Sequence, residues 1–168
     1  PFNIAKKIFR DSETLNNMEK MNYATIATVT LAFDKKVMQK YADALNFFVS
    51  RSSDFAITTC TWSNRKFDHV APEGHELLRV YIGRVGDESI VELSDNEIEK
   101  IVLQDLKKAI GLEERPSLMV VARWKESMPQ YTIGHAERME TMTDQLYQEF
   151  PNVHLTGSSY KGISIPDC

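Results

Sequence analysis

The run from Tyr23 to Phe33 commits this chain to a sheet, because Thr, Ile and Val recur along it with large side chains at alternate positions. Such residues lose little in an extended backbone, and a period of two gives the strand one face to bury. Later runs supply its partners. Ser52-Ser53-Asp54 is a turn signal leading into Phe55–Trp62, predicted to be an antiparallel strand. Polar residues from Asn64 to Glu76, with Pro72 and Gly74, separate it from a third strand, Leu77–Gly83, which Gly83 and Gly86 close. After Pro116, the residues Leu118, Val120, Val121 and Ala122 of Ser117–Trp124 predict a strand apolar on both faces and therefore central.

Helices interrupt this meander. Ser94-Asp-Asn-Glu97 is a capping box, and Ile98, Ile101, Val102, Leu106, Ala109 and Ile110 form an apolar stripe that ends at Gly111. Asp34 is predicted to cap a helix with Val37, Met38, Tyr41, Ala42 and Leu45 on one face, before Phe47–Val49 restarts extended chain. Ile4, Ile8 and Phe9, then Leu15, Met18 and Met21, predict helix and turn at the start. Lys125–Gly134 is too irregular for a regular element, and Met139, Met142, Leu146 and Phe150 stripe a helix over His135–Phe150 that Pro151 ends. The fold class is α+β, with a mixed, largely antiparallel sheet flanked by helices.

The tail, Asn152–Cys168, reads as a short strand through Val153 and Leu155, a turn punctuated by Gly157 and Gly162, and a helix start at Pro166. A strand, loop and helix start of this kind commonly holds an anion or a polar ligand edge. Since the helix itself is not reached and Pro1 is no initiator methionine, the chain is expected to be a piece of a longer protein.

Charge and composition exclude several functions. The net charge of −4 is spread without a run of like sign, which argues against a nucleic-acid partner. No apolar stretch approaches a membrane span and no signal-peptide pattern is visible, so a cytoplasmic location is expected. Cys60 and Cys168 make neither a disulfide framework nor a zinc site, and Cys60 is expected to be a buried structural thiol. His69, His75, His135 and His154 lack metal-site spacing, so no metal is predicted, and Asp87, Glu88 and Glu92 read as solvated charges near a helix start. Nucleophile elbow, phosphate loop and G-x-G-x-x-G fingerprint are all absent from this sequence.

The segment Arg123–His135 places Trp124, Met128, Pro129 and Tyr131 between a strand and a helix. Loops built that way line flat ligands; the alternative, which composition alone favours, is that Trp124 and Tyr131 are core anchors.

Taken in order, Thr59-Cys-Thr-Trp62, Ala71-Pro-Glu-Gly74, Leu77-Leu-Arg79, Gly83-Arg-Val-Gly-Asp-Glu88, Arg123-Trp124, Met128-Pro-Gln-Tyr131, Gly134-His135 and Gly157–Cys168 resemble the C-terminal part of bacterial oxygen-dependent porphyrinogen oxidases. The sequence looks most like the Gram-positive protoporphyrinogen/coproporphyrinogen III oxidase type, a branch of the flavin amine-oxidase superfamily. The resemblance implies FAD as cofactor, and oxidation of coproporphyrinogen III, protoporphyrinogen IX or both to the porphyrin. It further implies dioxygen as acceptor, hydrogen peroxide as product and the haem-pathway chelatase as a candidate partner.

On the same basis, residues 1–151 would be part of a substrate-binding domain, and residues 152–168 a returning strand and turn of the FAD domain. Ser158, Ile163, Ser164 and Ile165 would touch the flavin through backbone groups and Trp124 would pack beside it, with no side chain in a catalytic role. Trp62, Phe67 and Tyr81 are further positions that could face a substrate. The piece alone would be inactive and bind FAD weakly or not at all. The rival readings are another flavin amine oxidase or desaturase, and a non-enzymatic α+β binding module.

Overall fold

The computed structural model describes residues 2–16 and 21–167, so Met18 and Cys168 lie outside the described residues. The chain divides into two compact units, Ala24–Met128 and Pro1–Tyr23 with Pro129–Cys168.

The first unit is built on a five-stranded sheet of β1 (Tyr23–Asp34), β2 (Asn46–Phe48), β3 (Ile57–Trp62), β4 (His75–Ile82) and β5 (Leu118–Pro129), in the order β2-β3-β4-β1-β5. β2, β3 and β4 form the expected meander, and β4 returns to pair antiparallel with β1, setting Val29 opposite Val80 and Leu31 opposite Leu78. β5 runs opposite to β1, since Ser117 N–H donates to Ala32 O and Glu126 N–H to Thr25 Oγ1.

Strand alternation sorts side chains cleanly. Ala27, Val29, Leu31, Phe33, Cys60, Trp62, Leu78, Val80 and Ile82 are buried, forming one core with Ile98, Val102 and Leu106. The last three project from α4 (Asp95–Ile110), which begins on the complete Ser94–Glu97 capping box and ends at left-handed Gly111. Each such aliphatic side chain contributes roughly 1.5–3 kcal/mol, against about 0–1 for a surface ion pair, so α4 on the sheet holds this unit. Asp105 interrupts the buried face of α4 for a reason the stripe does not show. Its Oδ2 accepts from the N–H groups of Ala56 (2.8 Å) and Ile57 (3.0 Å), tying the start of β3 to the helix.

Three expectations are corrected here. β5 is an edge strand, with Leu118 and Val120 exposed while Met119 and Val121 pack on the core, and it continues through Lys125–Pro129. The Asp34 helix is a single 3-10 turn, Val37–Tyr41. Arg65, on the short α3 (Ser63–Lys66), takes up the carbonyls of Tyr41, Ala42 and Ala44 that a longer helix would have used internally. Trp62 is a core residue at 1% exposure and cannot face a substrate.

Cys60 is buried as expected, and burial pushes its thiol up to about 12. A thiol whose folded pKa is raised contributes stability below its unfolded pKa of about 8.5, and that contribution is lost as pH rises through the folded value. Peptide mapping after maleimide treatment at neutral pH should find Cys60 unmodified in the folded chain and fully modified in urea. Equal labelling in both states would contradict its burial.

The second unit packs α1 (Phe2–Ile8) and α2 (Glu13–Asn16) with α5 (His135–Glu149). Ala5, Leu15, Met139, Met142, Leu146 and Tyr160 form its core, joined by Phe9, Phe150, Val153 and Leu155. Ile4 and Ile8 are exposed, and α1 buries Ala5 instead. The strand expected at Val153–Leu155 is irregular chain with no sheet partner among the described residues, and its side chains pack on the helical core.

Candidate functional site

In the helical unit the tail forms a knot of turns. Tyr160 N–H and Lys161 N–H both donate to Gly157 O, and Asp167 N–H donates to Ser164 O at the 3-10 turn Ile165–Asp167, which contains Pro166. Ser164 Oγ donates to Asp167 Oδ2. Ile163 is 82% exposed, and among the described residues no acceptor meets the backbone N–H groups of Ile163 and Ser164.

The segment before α5 grips this turn. The Tyr131 hydroxyl lies 2.6 Å from Ser158 O and 2.9 Å from Gly162 O. His135 Nε2 lies 3.0 Å from Tyr160 O, and the Tyr131 and His135 rings stack at 3.9 Å with 10° between their planes. Tyr131 is therefore no core anchor. The Tyr160 phenol is pushed above its ordinary range by burial first and by Tyr23 second, so it stays neutral at physiological pH.

In the sheet unit the face opposite the core is open. Residues directly opposed on neighbouring strands share a face, and the register runs Phe48, Thr59, Tyr81, Thr28 across β2, β3, β4 and β1. Trp124 extends this row from β5, its Nε1 donating to Thr28 Oγ1 at 3.3 Å. Phe48 is 76% and Trp124 52% exposed, so Trp124 is no core anchor either. The next row is polar, with Asn46, Thr61, Arg79 and Thr30, and Arg79 is exposed with no carboxylate paired to it among the described residues.

Of the residues predicted to contact a flavin, Ser158, Ile163, Ser164 and Ile165 thus lie along one run of consecutive turns, whereas Trp124 belongs to the sheet unit. Sequence reasoning missed Phe48 and Arg79, although the period-two pattern places both on the open face. A cleft of about 570 Å³ in the helical unit, lined by Thr14, Gln130, His135, Met139 and Met142 among others, mixes polar and apolar side chains. No cluster of three or more His, Cys, Asp or Glu that could hold a metal exists among the described residues. Nor is any described helix long and apolar enough to cross a membrane.

These features fit one part of a flavin. An isoalloxazine has flat faces and an edge of hydrogen-bond acceptors, which the exposed Ile163 side chain and the adjacent N–H groups of Ile163 and Ser164 can meet. The glycine fingerprint that receives a dinucleotide's pyrophosphate is absent from this sequence.

A family model described as flavin containing amine oxidoreductase matches residues 1–168, and the chain belongs to that family. Among individual relatives, it is 44% identical over 168 residues to coproporphyrinogen III oxidase from Bacillus subtilis, covering 100% of this chain and 36% of that protein. It is 34% identical to the enzyme of the same name from Staphylococcus aureus, with the same coverage of both. A crystal structure of a provisionally named protoporphyrinogen oxidase from Exiguobacterium sp. 255-15 superposes with a TM-score of 0.81 at 31% identity, over 100% of this chain and 37% of that one. Reduced UDP-galactopyranose mutase, at TM-score 0.66 and 13% identity over 88% of this chain and 33% of that one, shares the fold alone. The chain spans about a third of the length of the curated relatives it matches most fully.

Proposed function

We propose that this chain is part of an FAD-dependent porphyrinogen oxidase of haem synthesis, acting on coproporphyrinogen III, protoporphyrinogen IX or both. The observation that carries this reading is the 44% identity to the Bacillus subtilis coproporphyrinogen III oxidase along the whole chain. A bound flavin would supply the hydride acceptor, with dioxygen as the final oxidant and hydrogen peroxide as product. The backbone of Ser158, Ile163, Ser164 and Ile165 would hold the flavin's polar edge, while Trp124 would lie against the ring system. No side chain of this chain is assigned as an acid or base. A cytoplasmic location is part of the proposal, as is delivery of the metal-free porphyrin to a metal-inserting chelatase.

The open sheet face suits a large, partly apolar and acidic macrocycle. Phe48 and Tyr81 offer apolar area to a macrocycle, and Arg79, with no carboxylate paired to it among the described residues, offers its guanidinium to a carboxylate. Coproporphyrinogen III carries a carboxylate on every pyrrole ring and protoporphyrinogen IX on only half of them. In the protein expressed at the full length of its relatives, Arg79→Gln is expected to raise KM for coproporphyrinogen III roughly three- to tenfold with kcat held. The rise for protoporphyrinogen IX should be smaller. Unchanged KM for both would remove Arg79 from the site.

The reading itself is tested by mixing flavin-loaded full-length protein with coproporphyrinogen III under anaerobic conditions. Bleaching of the flavin's visible absorption, reversed on admitting air with release of peroxide, is expected. A flavin that stays oxidised with either porphyrinogen would move the chain to another branch of the family.

A further inference from the structure

We propose that Tyr131 and His135 act as a positioning pair, locking the 157–162 turn so that the N–H groups of Ile163 and Ser164 stay available to the flavin edge. This role rests on the reading of the chain as part of an FAD-dependent oxidase.

The hydrogen bonds from Tyr131 to Ser158 and Gly162 and from His135 to Tyr160 end on backbone carbonyls. Tyr131 has one phenolic proton and two carbonyl oxygens within reach, those of Ser158 and Gly162, so the proton bridges both ends of the turn. His135 Nε2 faces the carbonyl of Tyr160, which can only accept, so that nitrogen carries a proton. The parallel stack holds each ring in place for the other. His135 itself is fixed at the head of α5, its N–H donating to Thr132 O, while Gly134 accepts from Arg138 N–H. Three successive anchor points therefore join a helix start to the turn.

The turn needs such anchoring. Gly157 and Gly162 sit at φ +117 and +77, conformations only glycine adopts readily, and a glycine-rich segment loses much entropy on ordering. A turn ordered before the ligand arrives binds more tightly than one ordered by it. Because the anchors use carbonyl oxygens, they leave the N–H groups of Ile163 and Ser164 uncommitted. Those donors would favour the electron-rich, reduced form of a flavin placed against them.

The test uses the protein at the full length of its relatives. Tyr131→Phe keeps the ring and its stack but deletes the hydroxyl. Roughly tenfold weaker FAD binding and a lower flavin midpoint potential are expected, with the far-ultraviolet circular dichroism of wild type. His135→Gln, which retains an N–H near the Nε2 position, should keep more affinity than His135→Ala. Wild-type affinity, potential and visible spectrum in Tyr131→Phe would overturn the role, provided the wild type carries flavin. Loss of folded structure in Tyr131→Phe would also overturn it, by making the pair an element of the fold. A flavin-free wild type would instead overturn the reading of function, and the pair's role with it.

Discussion

Arg65→Ala is expected to destabilise the sheet unit by about 3–5 kcal/mol, the cost of breaking a shielded ion pair on one side. Arg65 Nη2 lies 2.6 Å from Glu76 Oε2, with side-chain exposures of only 13% and 7%. The other terminal nitrogen of the guanidinium donates to the carbonyls of Tyr41, Ala42 (3.0 Å) and Ala44 (2.6 Å), and the group lies 5.5 Å from the centre of the Trp62 ring. Alanine would strand a buried carboxylate and release the segment that crosses from β1 to β2. Arg65→Lys keeps the charge without the planar fork and should fall between alanine and wild type. Replacing both partners, Arg65→Met with Glu76→Leu, should cost less than either single change, because no unpaired charge is left. Urea unfolding followed by tryptophan fluorescence measures all three. An Arg65→Ala loss below about 1 kcal/mol would show that the pair is no stronger than a surface one.

The second large effect is expected at Gly83, where β4 ends. Its φ is +85, and an added Cβ would lie 2.8 Å from Thr25 O, 2.7 Å from Val91 Cγ2 and 3.2 Å from Ile26 Cα. Two of these neighbours are backbone, so a side-chain rotation cannot relieve the clash. Left-handed strain and overpacking each cost on the order of 1–3 kcal/mol, and Gly83→Ala should lose about 3 kcal/mol in total. Gly86, three residues on at φ +84, has nothing within 4 Å of the point where an added Cβ would sit and provides the contrast. Gly86→Ala should cost about 1 kcal/mol, from conformation alone. Equal losses at both positions, by thermal or urea unfolding, would show that the approach of β1 to Gly83 carries no weight.

Elements written by short-range signals were legible in the sequence. β1 followed from its β-branched run, and α4 from the Ser94–Glu97 box, its stripe and Gly111. Met139, Met142 and Leu146 were legible as the buried face of α5 for the same reason. Errors arose where distant partners decide the outcome. Periodicity cannot say which strand lies at an edge, so β5 read as central while Leu118 and Val120 stay exposed. The 3-10 turn after Asp34 depends on Arg65, far along the chain, and Asp105 looked out of place until β3 was set beside it. At the candidate site, the Tyr131 and His135 motif stood out in the sequence, but its purpose did not. Its acceptors are backbone carbonyls at 158, 160 and 162, which carry no side-chain signature.

The central claim is tested most directly by following porphyrin fluorescence from the full-length, FAD-loaded protein in air, with coproporphyrinogen III and protoporphyrinogen IX supplied separately. Porphyrin formation well above the uncatalysed rate with at least one of them, accompanied by peroxide, is predicted. A protein that holds flavin yet turns over neither substrate would contradict the assignment and leave family membership and fold standing alone.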